Sequence, residues 1–277
     1  MNRESLKNCK RIVIKIGTNS IMQSPTKVDY QQIDRLAFVC SSIQQQGKEV
    51  ILVSSGAVGV GASEVNMDEY PTEIAEKQAL ASVGQSALMN LYSRFFQHYG
   101  QYVGQILMTR DIINYPSSYQ NCQSSINSLI EKNIIPVINE NDAVSVDERN
   151  HRTRFGENDT LAAVVTELTE ADLLIILSDV DGLYDANPHH DDTAELIPHV
   201  DEINAEILDM AGGAGSTFST GGMETKIKAA ESVMSLGKSM IITSSEDLNV
   251  IFDILAGETE GTLFRKYKKE SVLKEEG

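Results

Sequence analysis

The chain has 277 residues, with 40 acidic side chains against 23 Lys plus Arg, and its formal net charge is −17. That balance argues against nucleic acid or an anionic membrane as a main partner, because both attract a surplus of basic groups. A hydrophobic content of 41% at this length can fill a sizeable core, so we expect a folded, acidic protein. No apolar run approaches about 18 residues, and residues 1–10 are too polar for a signal peptide, so a cytoplasmic location is expected.

The predicted strands are short apolar runs that alternate with segments of helical period, a pattern typical of a parallel sheet with crossover helices. Most are apolar throughout, as strands covered on both faces must be. They are predicted at residues 11–16, 49–53, 104–109, 134–138, 173–178 and 239–243. We expect one α/β domain over residues 11–264, an N-terminal tail at 1–10 and a charged C-terminal tail at 265–277. Ligands of such sheets bind beyond the carboxyl ends of the strands.

The helices between these strands are predicted from apolar residues at spacings of three and four. The four apolar sets are Ile33, Leu36, Cys40 and Ile43; Leu80, Val83, Ala87, Leu91 and Phe95; Cys122, Ile126, Leu129 and Ile130; and Leu161, Val164, Val165 and Leu168. The three cysteines are widely spaced and form no CxxC pair, so reduced thiols are predicted, with Cys40 and Cys122 on helix faces.

The ends of the first two strands carry a cation and glycines. A lysine within an apolar strand is costly to bury without a counter-charge, so Lys15 is predicted to face an anion. The second strand ends in residues 54–61, with three glycines in six residues before a helix. Such a segment can bring backbone N–H groups close to phosphate or carboxylate oxygens, and an ordinary strand-to-helix turn explains it equally well. Neither a Walker A sequence nor a full GxGxxG is present.

The fourth strand ends in a polar cluster at residues 139–142, and a second cluster at 155–159 opens a helix that begins near Thr160. Side chains of this kind can bind the ammonium group of an amino acid, hold a metal or simply cap turns. For Asp159 the structural interpretation is an N-cap or first-turn acid that favours the helix dipole.

The last two candidate segments follow the fifth strand and precede the final predicted helix. The polar loop after Ser178 and Asp179 is a candidate nucleotide-binding edge. Residues 220–226 contain two adjacent glycines that expose backbone donors. Lys226, predicted in the first turn of the helix, is unfavourable for the helix dipole unless an anion lies there, so it is a candidate phosphate ligand.

Taken in chain order, these segments resemble the amino acid kinase family, and within it the branch that acts on glutamate. The resemblance covers residues 11–264 and rests on Lys15-x-Gly17, Ser54-Ser55-Gly56-Ala57, Asn139-Glu140-Asn141-Asp142, Gly156-Glu157-Asn158-Asp159, Ser178-Asp179-x-x-Gly182-Leu183-Tyr184 and Gly221-Gly222-Met223-x-Thr225-Lys226. It implies a three-layer αβα sandwich around a mainly parallel sheet. It also implies transfer of the γ-phosphoryl of ATP to the side-chain carboxylate of L-glutamate, the first step of proline biosynthesis.

The same resemblance implies roles for individual residues. Lys15 and Lys226 would flank the transferring phosphoryl group, with Asp159 orienting both lysines. Ser55, Asp142 and Asn158 match the positions that hold glutamate. The positions that match nucleotide contacts are Lys15, Gly17, Gly56, Ser178, Asp179, Thr220, Gly221, Gly222, Met223, Glu224, Thr225 and Lys226. Mg²⁺ is expected with the ATP phosphates and not in a dedicated carboxylate site.

Further expectations follow from the family pattern. Proline is expected as a feedback inhibitor near residues 67–76 and a loop at 111–119, and a homo-oligomer is expected. Glu157 stands where the family pattern has Asp. The chain stops about a dozen residues after the kinase part, so we expect the short form without a PUA domain.

Two alternatives remain for the function. One is another kinase of the family, acting on acetylglutamate, aspartate, carbamate or a nucleoside monophosphate. The other is a silent regulatory subunit that binds nucleotide or amino acid without turnover, and the presence of Lys15, Lys226 and Asp159 together counts against it.

Overall fold

The computed structural model describes residues 3–145, 147–148, 151–152, 155, 157–186, 188, 191, 193–212 and 222–266. The strands in these residues are β1 Arg11–Ile16, β2 Met22–Ser24, β3 Lys27–Val28, β4 Glu49–Ser54, β5 Tyr102–Met108, β6 Ile134–Glu140, β7 Asp147–Glu148, β8 His151–Arg152, β9 Leu173–Ser178, β10 His199–Val200, β11 Ser239–Ser244 and β12 Thr262–Phe264. The α-helices are α1 Thr18–Ile21, α2 Tyr30–Gln45, α3 Ala57–Glu64, α4 Ile74–His98, α5 Asp111–Asn114, α6 Pro116–Glu131, α7 Asn158–Leu168, α8 Ala205–Met210, α9 Gly222–Ser235 and α10 Val250–Leu255.

Eight of the strands form one sheet in the order β10-β12-β11-β9-β1-β4-β6-β5. The neighbours pair in parallel except for β11 and β12, which are antiparallel. Buried apolar residues cover both faces of the sheet. The predicted three-layer αβα sandwich around a mainly parallel sheet is therefore confirmed. β1 lies between β9 and β4, and the chain runs from β1 to β4 on one side and reaches β9 on the other, so the order reverses beside β1.

All six predicted strands are present, with small differences in their ends. β1 and β9 match the prediction at both ends, whereas β5 begins two residues earlier and β6 extends to Glu140. The strands β10 and β12 and the hairpin of β2 with β3 were not predicted. They have two or three residues each, which is too short for a periodic pattern.

The alternation of side chains along β1 determines which face Lys15 occupies. Ile12, Ile14 and Ile16 belong to the cluster with α2, α4 and α10. Val13 belongs to the cluster on the opposite face, with α6, α7 and α9. Because side chains two residues apart share a face, Lys15 lies on the same face as Val13, towards α7 and α9.

The helices α3 and α4 approach each other through glycine. A Cβ atom at Gly84 would collide with the carbonyl oxygen of Ala57, and one at Gly61 with that of Leu80. Gly61 therefore serves close helix packing and not the ligand contact that the glycine-rich segment suggested. The predicted buried face of α4 was also wrong at Val83, which is 44% exposed. Apolar residues surround much of this helix, and the glycine contact selects the stripe that includes Gly84, Leu88 and Tyr92.

Both segments predicted as tails contain packed residues. Glu4–Asn8 is a 3₁₀ helix with Leu6 buried, and the Arg3 side chain, 4% exposed, donates to the carbonyl oxygens of Pro198 and Gly261. Arg265 donates from its backbone to Val200. The cysteines are free thiols, and Cys40 and Cys122 are buried on helices, as predicted. None of the helices in the described part of the chain combines the length and apolar character that crossing a bilayer requires.

Candidate active site

A buried cluster of three charges lies beside the carboxyl end of β1. Lys15 Nζ is 2.6 Å from Asp159 Oδ1, and Lys226 Nζ is 3.4 Å from Asp159 Oδ2. The lysine side chains are each 10% exposed and that of Asp159 is 3% exposed. Three elements, β1, α7 and α9, thus contribute one charged group each, and the cluster carries one surplus positive charge.

The environment of Asp159 keeps its carboxyl group ionised. Burial alone would raise its pKa, but the two lysine ammonium groups act more strongly together and hold the pKa below its ordinary value. Thr225 Oγ1 also donates to Asp159 Oδ2, at 3.3 Å. A carboxylate held between two cations positions both of them, because each gains its counter-charge from the same group.

An amide network lies next to this cluster and is built around Asn158, the residue before Asp159. Its Nδ2 lies within hydrogen-bond distance of three acceptors that share its two hydrogens: Ser55 Oγ at 2.7 Å, the carbonyl oxygen of Ser54 at 3.0 Å and Asn139 Oδ1 at 3.0 Å. Asn139 Nδ2 in turn donates to Gln85 Oε1 of α4 at 2.8 Å. The network therefore ties the ends of β4 and β6 to α4 and α7.

A cavity of about 310 Å³ opens beside the amide network, and we call it cavity A. Its described lining includes Ser55, Asp142 and Asn158, the three residues that match glutamate-binding positions. The full described lining is Thr18, Ser55, Gly56, Ala57, Val58, Tyr70, Ile74, Lys77, Gln78, Glu140, Asp142, Ser145, Glu157 and Asn158. Tyr70 and Asp142 both line the cavity, where burial and then the charge of Asp142 raise the pKa of Tyr70. A space of this size accommodates a small amino acid.

A second cavity, of about 150 Å³, lies at the end of β9, and we call it cavity B. Its described lining is Ser178, Asp179, Val180, Gly182, Leu183, Tyr184, Ala186, Pro188, Met210, Gly222, Met223 and Lys226. Ser178 Oγ donates to Asp179 Oδ1 at 3.0 Å. Lys226 lines cavity B, and its ammonium group pairs with Asp159. Asn158, the residue before Asp159, lines cavity A. The charged cluster therefore lies between the two cavities.

The two glycines predicted near phosphates lie close to the charged cluster and to cavity A. A Cβ atom at Gly17 would be 3.7 Å from Lys15 Nζ. Gly56 precedes α3 with a φ of 99°, and a Cβ there would be 2.6 Å from Ile21 Cδ1. Only glycine adopts this backbone without strain. Ala57 and Val58, the first residues of α3, line cavity A, and N–H groups in the first turn of a helix have no partner within the helix.

Not every predicted nucleotide residue faces a cavity. Glu224 is exposed and pairs with Lys228 at 2.5 Å on the same helix, so its side chain points away from the site. Thr220 and Gly221 lie outside the described residues, as does Gly156 of the polar cluster. Lys226 is the fifth residue of α9, one turn later than predicted, and it donates back to the carbonyl oxygen of Gly222 at 3.0 Å.

Two residues of the site, Gln85 and Lys77, were not predicted. Gln85 holds Asn158 in place through Asn139, which belongs to the predicted cluster at residues 139–142. Lys77 lines cavity A, as does Tyr70 of the predicted residues 67–76. Gln85 could have been predicted, because a polar side chain in the buried stripe of a helix needs a hydrogen-bond partner.

The helix α7 begins at Asn158, two residues before the predicted start, with Asp159 in its first turn and Glu157 as N-cap. In the described part of the chain, no group of three or more His, Cys, Asp or Glu residues is arranged to hold a metal ion.

Two buried lysines lie beside the carboxyl end of β1, a central strand of the mainly parallel sheet. Ligands of such sheets bind at this edge, so the protein belongs to the class of α/β proteins that bind an anionic ligand there. Comparison with known families gives the class its name. Residues 10–244 match the model of the amino acid kinase family, and the chain belongs to that family. The chain is 50% identical over 268 residues to the glutamate 5-kinase of Listeria innocua, covering 97% of both chains.

Two further comparisons agree with this placement. The chain is 51% identical over 259 residues to the glutamate 5-kinase of Streptococcus agalactiae, covering 94% of this chain and 97% of that protein. The fold is similar to that of a carbamate kinase from Giardia lamblia bound to AMP-PNP, with a TM-score of 0.65 at 17% identity, covering 94% of this chain and all of the other.

Proposed function

We propose that this chain is a glutamate 5-kinase, which transfers the γ-phosphoryl group of ATP to the side-chain carboxylate of L-glutamate. The observation that carries the proposal is the pair Lys15 and Lys226 on one buried carboxylate, with an amino-acid-sized cavity on one side and a second cavity on the other. Half of the residues are identical to those of curated glutamate 5-kinases over nearly the whole chain, which supports the substrate assignment.

In the proposed mechanism the two lysines stabilise charge that builds up on the transferring phosphoryl group. A carboxylate oxygen of glutamate attacks phosphorus, the bond to the bridging oxygen of ADP breaks, and the products are L-glutamyl 5-phosphate and ADP. The attacking carboxylate is already ionised at neutral pH, so no general base is required. Positioning and preorganised charge therefore supply most of the acceleration.

The two cavities support the proposed substrate-binding roles. Asp142 pairs with the substrate ammonium in cavity A, and Ser55 and Asn158 donate or accept hydrogen bonds there. ATP binds at cavity B, with Ser178 and Asp179 on one side and Met223 and Lys226 on the other. The backbone at Gly17 and Gly56 completes the phosphate site. Mg²⁺ would be held mainly by the ATP phosphates and would neutralise part of their charge.

The test of this function is a trapping assay with ATP, Mg²⁺ and hydroxylamine, which converts an acyl phosphate to a hydroxamate. We expect L-glutamate to give glutamyl hydroxamate, and aspartate and N-acetylglutamate to give little. Aspartate places its carboxylate one carbon short of the lysines, and N-acetylglutamate lacks the ammonium group that Asp142 pairs with.

Two results of the assay would overturn the proposal. Equal or better turnover of aspartate or N-acetylglutamate would indicate another acceptor within the family. ATP binding without turnover of any amino acid would favour the silent regulatory subunit.

Proline is proposed to compete with glutamate for cavity A, because Tyr70 and Ile74 of residues 67–76 line it. Residues 111–119 were predicted as a second loop near an inhibitor, but they form α5 and the start of α6, and none lines cavity A. Proline added to the assay should raise the KM for glutamate without lowering the rate at saturation, and a lower saturated rate would contradict competition. The proposed homo-oligomer is tested by light scattering.

A further inference from the structure

Lys77 is a cation in cavity A that the proposed mechanism does not use. It lies in the first turns of α4, is half-buried and is the one cation among the described residues that line the cavity. Three carboxylate residues, Glu140, Asp142 and Glu157, line the same space. A substrate with two carboxylates and one ammonium would meet mostly like charge there without Lys77.

The position of Lys77 is not explained by a partner within the protein. Its ammonium group forms no ion pair with any residue that the structure describes, although Glu73, four residues earlier, is well spaced for one. The amino-terminal end of a helix also disfavours a cation, because the helix dipole places positive charge there. Both observations indicate a side chain kept for an anion that the cavity receives.

The packing of α3 on α4 places Lys77 away from the phosphoryl end of cavity A. Thr18 and Gly56 line the phosphoryl end of the cavity. Thr18 follows Gly17, which borders the Lys15 ammonium group, and Gly56 lies beside Thr18. Ala57, at the start of α3, contacts α4 at Gly84. Lys77 is seven residues before Gly84 in α4, about 10 Å along the helix axis. An extended glutamate with its side-chain carboxylate at the phosphoryl end directs its other carboxylate towards this part of the cavity.

We propose that Lys77 binds the α-carboxylate of the substrate and selects free α-amino acids whose main-chain carboxyl group is ionised. This inference rests on the proposed function and adds a third charged contact between the protein and glutamate. Lys15 and Lys226 act at the γ-carboxylate and the phosphoryl group, Asp142 pairs with the ammonium, and Lys77 pairs with the α-carboxylate. A glutamate whose α-carboxylate is blocked as an amide loses this contact and gains no other.

The experiment compares Lys77→Gln with wild type on two acceptors, L-glutamate and isoglutamine, whose α-carboxylate is a carboxamide. Lys77→Gln is expected to raise the KM for glutamate by about 10- to 100-fold, the range for a lost hydrogen bond between charged groups. The KM for isoglutamine should change less than about threefold, because the contact is already absent, and the KM for ATP should not change. Lys77→Arg keeps the charge and should retain most of the glutamate affinity. Lys132→Gln, an exposed lysine at the end of α6, is the matched control and should behave as wild type.

Two results would overturn the inference. One is an unchanged KM for glutamate in Lys77→Gln. The other is an equal increase for glutamate and isoglutamine, which indicates a structural role. Glutamate and isoglutamine binding is also measured by calorimetry, so a wild type that binds glutamate without turnover refutes the proposed function while the variant still tests Lys77. A wild type that neither binds nor phosphorylates glutamate overturns both proposals.

Discussion

Replacing Lys15 with methionine is expected to lower kcat by about 100- to 1000-fold, the range seen when one preorganised charge donor is removed from a transition state. Methionine keeps the length of the side chain and its packing in β1, and removes the charge. Because the ammonium group acts on charge that develops during transfer, the KM values for glutamate and ATP should change far less than kcat. Steady-state kinetics with both substrates varied make this measurement.

The second lysine provides a parallel test. Lys226→Met should also act mainly on kcat, since the two ammonium groups lie on opposite oxygens of the same carboxylate. Lys132→Met is the matched control and should leave both constants unchanged. An increase in KM with an unchanged kcat in either variant would show that the lysines bind the ground state and do not act in the transfer step.

Asp159→Asn is expected to destabilise the protein by about 3–5 kcal/mol at pH 7, because it leaves two nearly buried ammonium groups without their counter-charge. Asparagine preserves the shape of the side chain, so the effect reports charge. Urea unfolding curves measure it, and the exposed Asp209→Asn on α8 should shift the midpoint little. Activity should fall as well, since both lysines lose the group that orients them.

The stabilisation that the Asp159 charge provides should decrease at low pH. The folded pKa of Asp159 lies below its ordinary value of 3.8, so the stabilisation is present above about pH 4 and is lost as the pH falls through the lower folded value. The difference in unfolding free energy between wild type and Asp159→Asn should therefore narrow at pH 3. A difference that stays constant from pH 7 to pH 3 would mean that Asp159 stabilises the fold by packing and not by its charge.

The strands and the charged cluster could be predicted because each follows from a local pattern. Continuous apolar runs mark the central strands, and Lys15 is conspicuous within one of them because a buried cation needs an anion. The period of two along β1 then fixes its face. Asp159 and Lys226 were found from their positions near helix starts, although Lys226 lies one turn later than predicted.

The rest of the site depends on how helices meet in space. Gln85 reaches Asn139, and Lys77 lines cavity A, because α4 approaches α3 at Gly61 and Gly84, a contact with no periodic signal in the sequence. The predicted stripe of α4 was wrong at Val83 for the same reason, since a helix with apolar residues on several sides offers more than one buried face. The short strands β10, at the edge of the sheet, and β12, next to it, form only because each pairs with a longer neighbour.

The net charge of −17 gives the local cations their importance. Both proposed substrates are anions, and the overall charge of the protein repels them at long range. With the proposed roles, capture depends on Lys15, Lys226 and Lys77 together with the backbone donors at Gly56.

The central claim is that a carboxylate oxygen of glutamate attacks the γ-phosphorus of ATP. L-Glutamate labelled with ¹⁸O in its γ-carboxylate alone tests it, because the attacking oxygen becomes the bridge to phosphorus. When the glutamyl phosphate cyclises, its amine attacks the carbonyl carbon and the phosphate leaves with that oxygen. We predict one ¹⁸O in each inorganic phosphate released, read from its ³¹P chemical shift. Unlabelled phosphate formed at the same rate would show that water is the acceptor and would contradict the account.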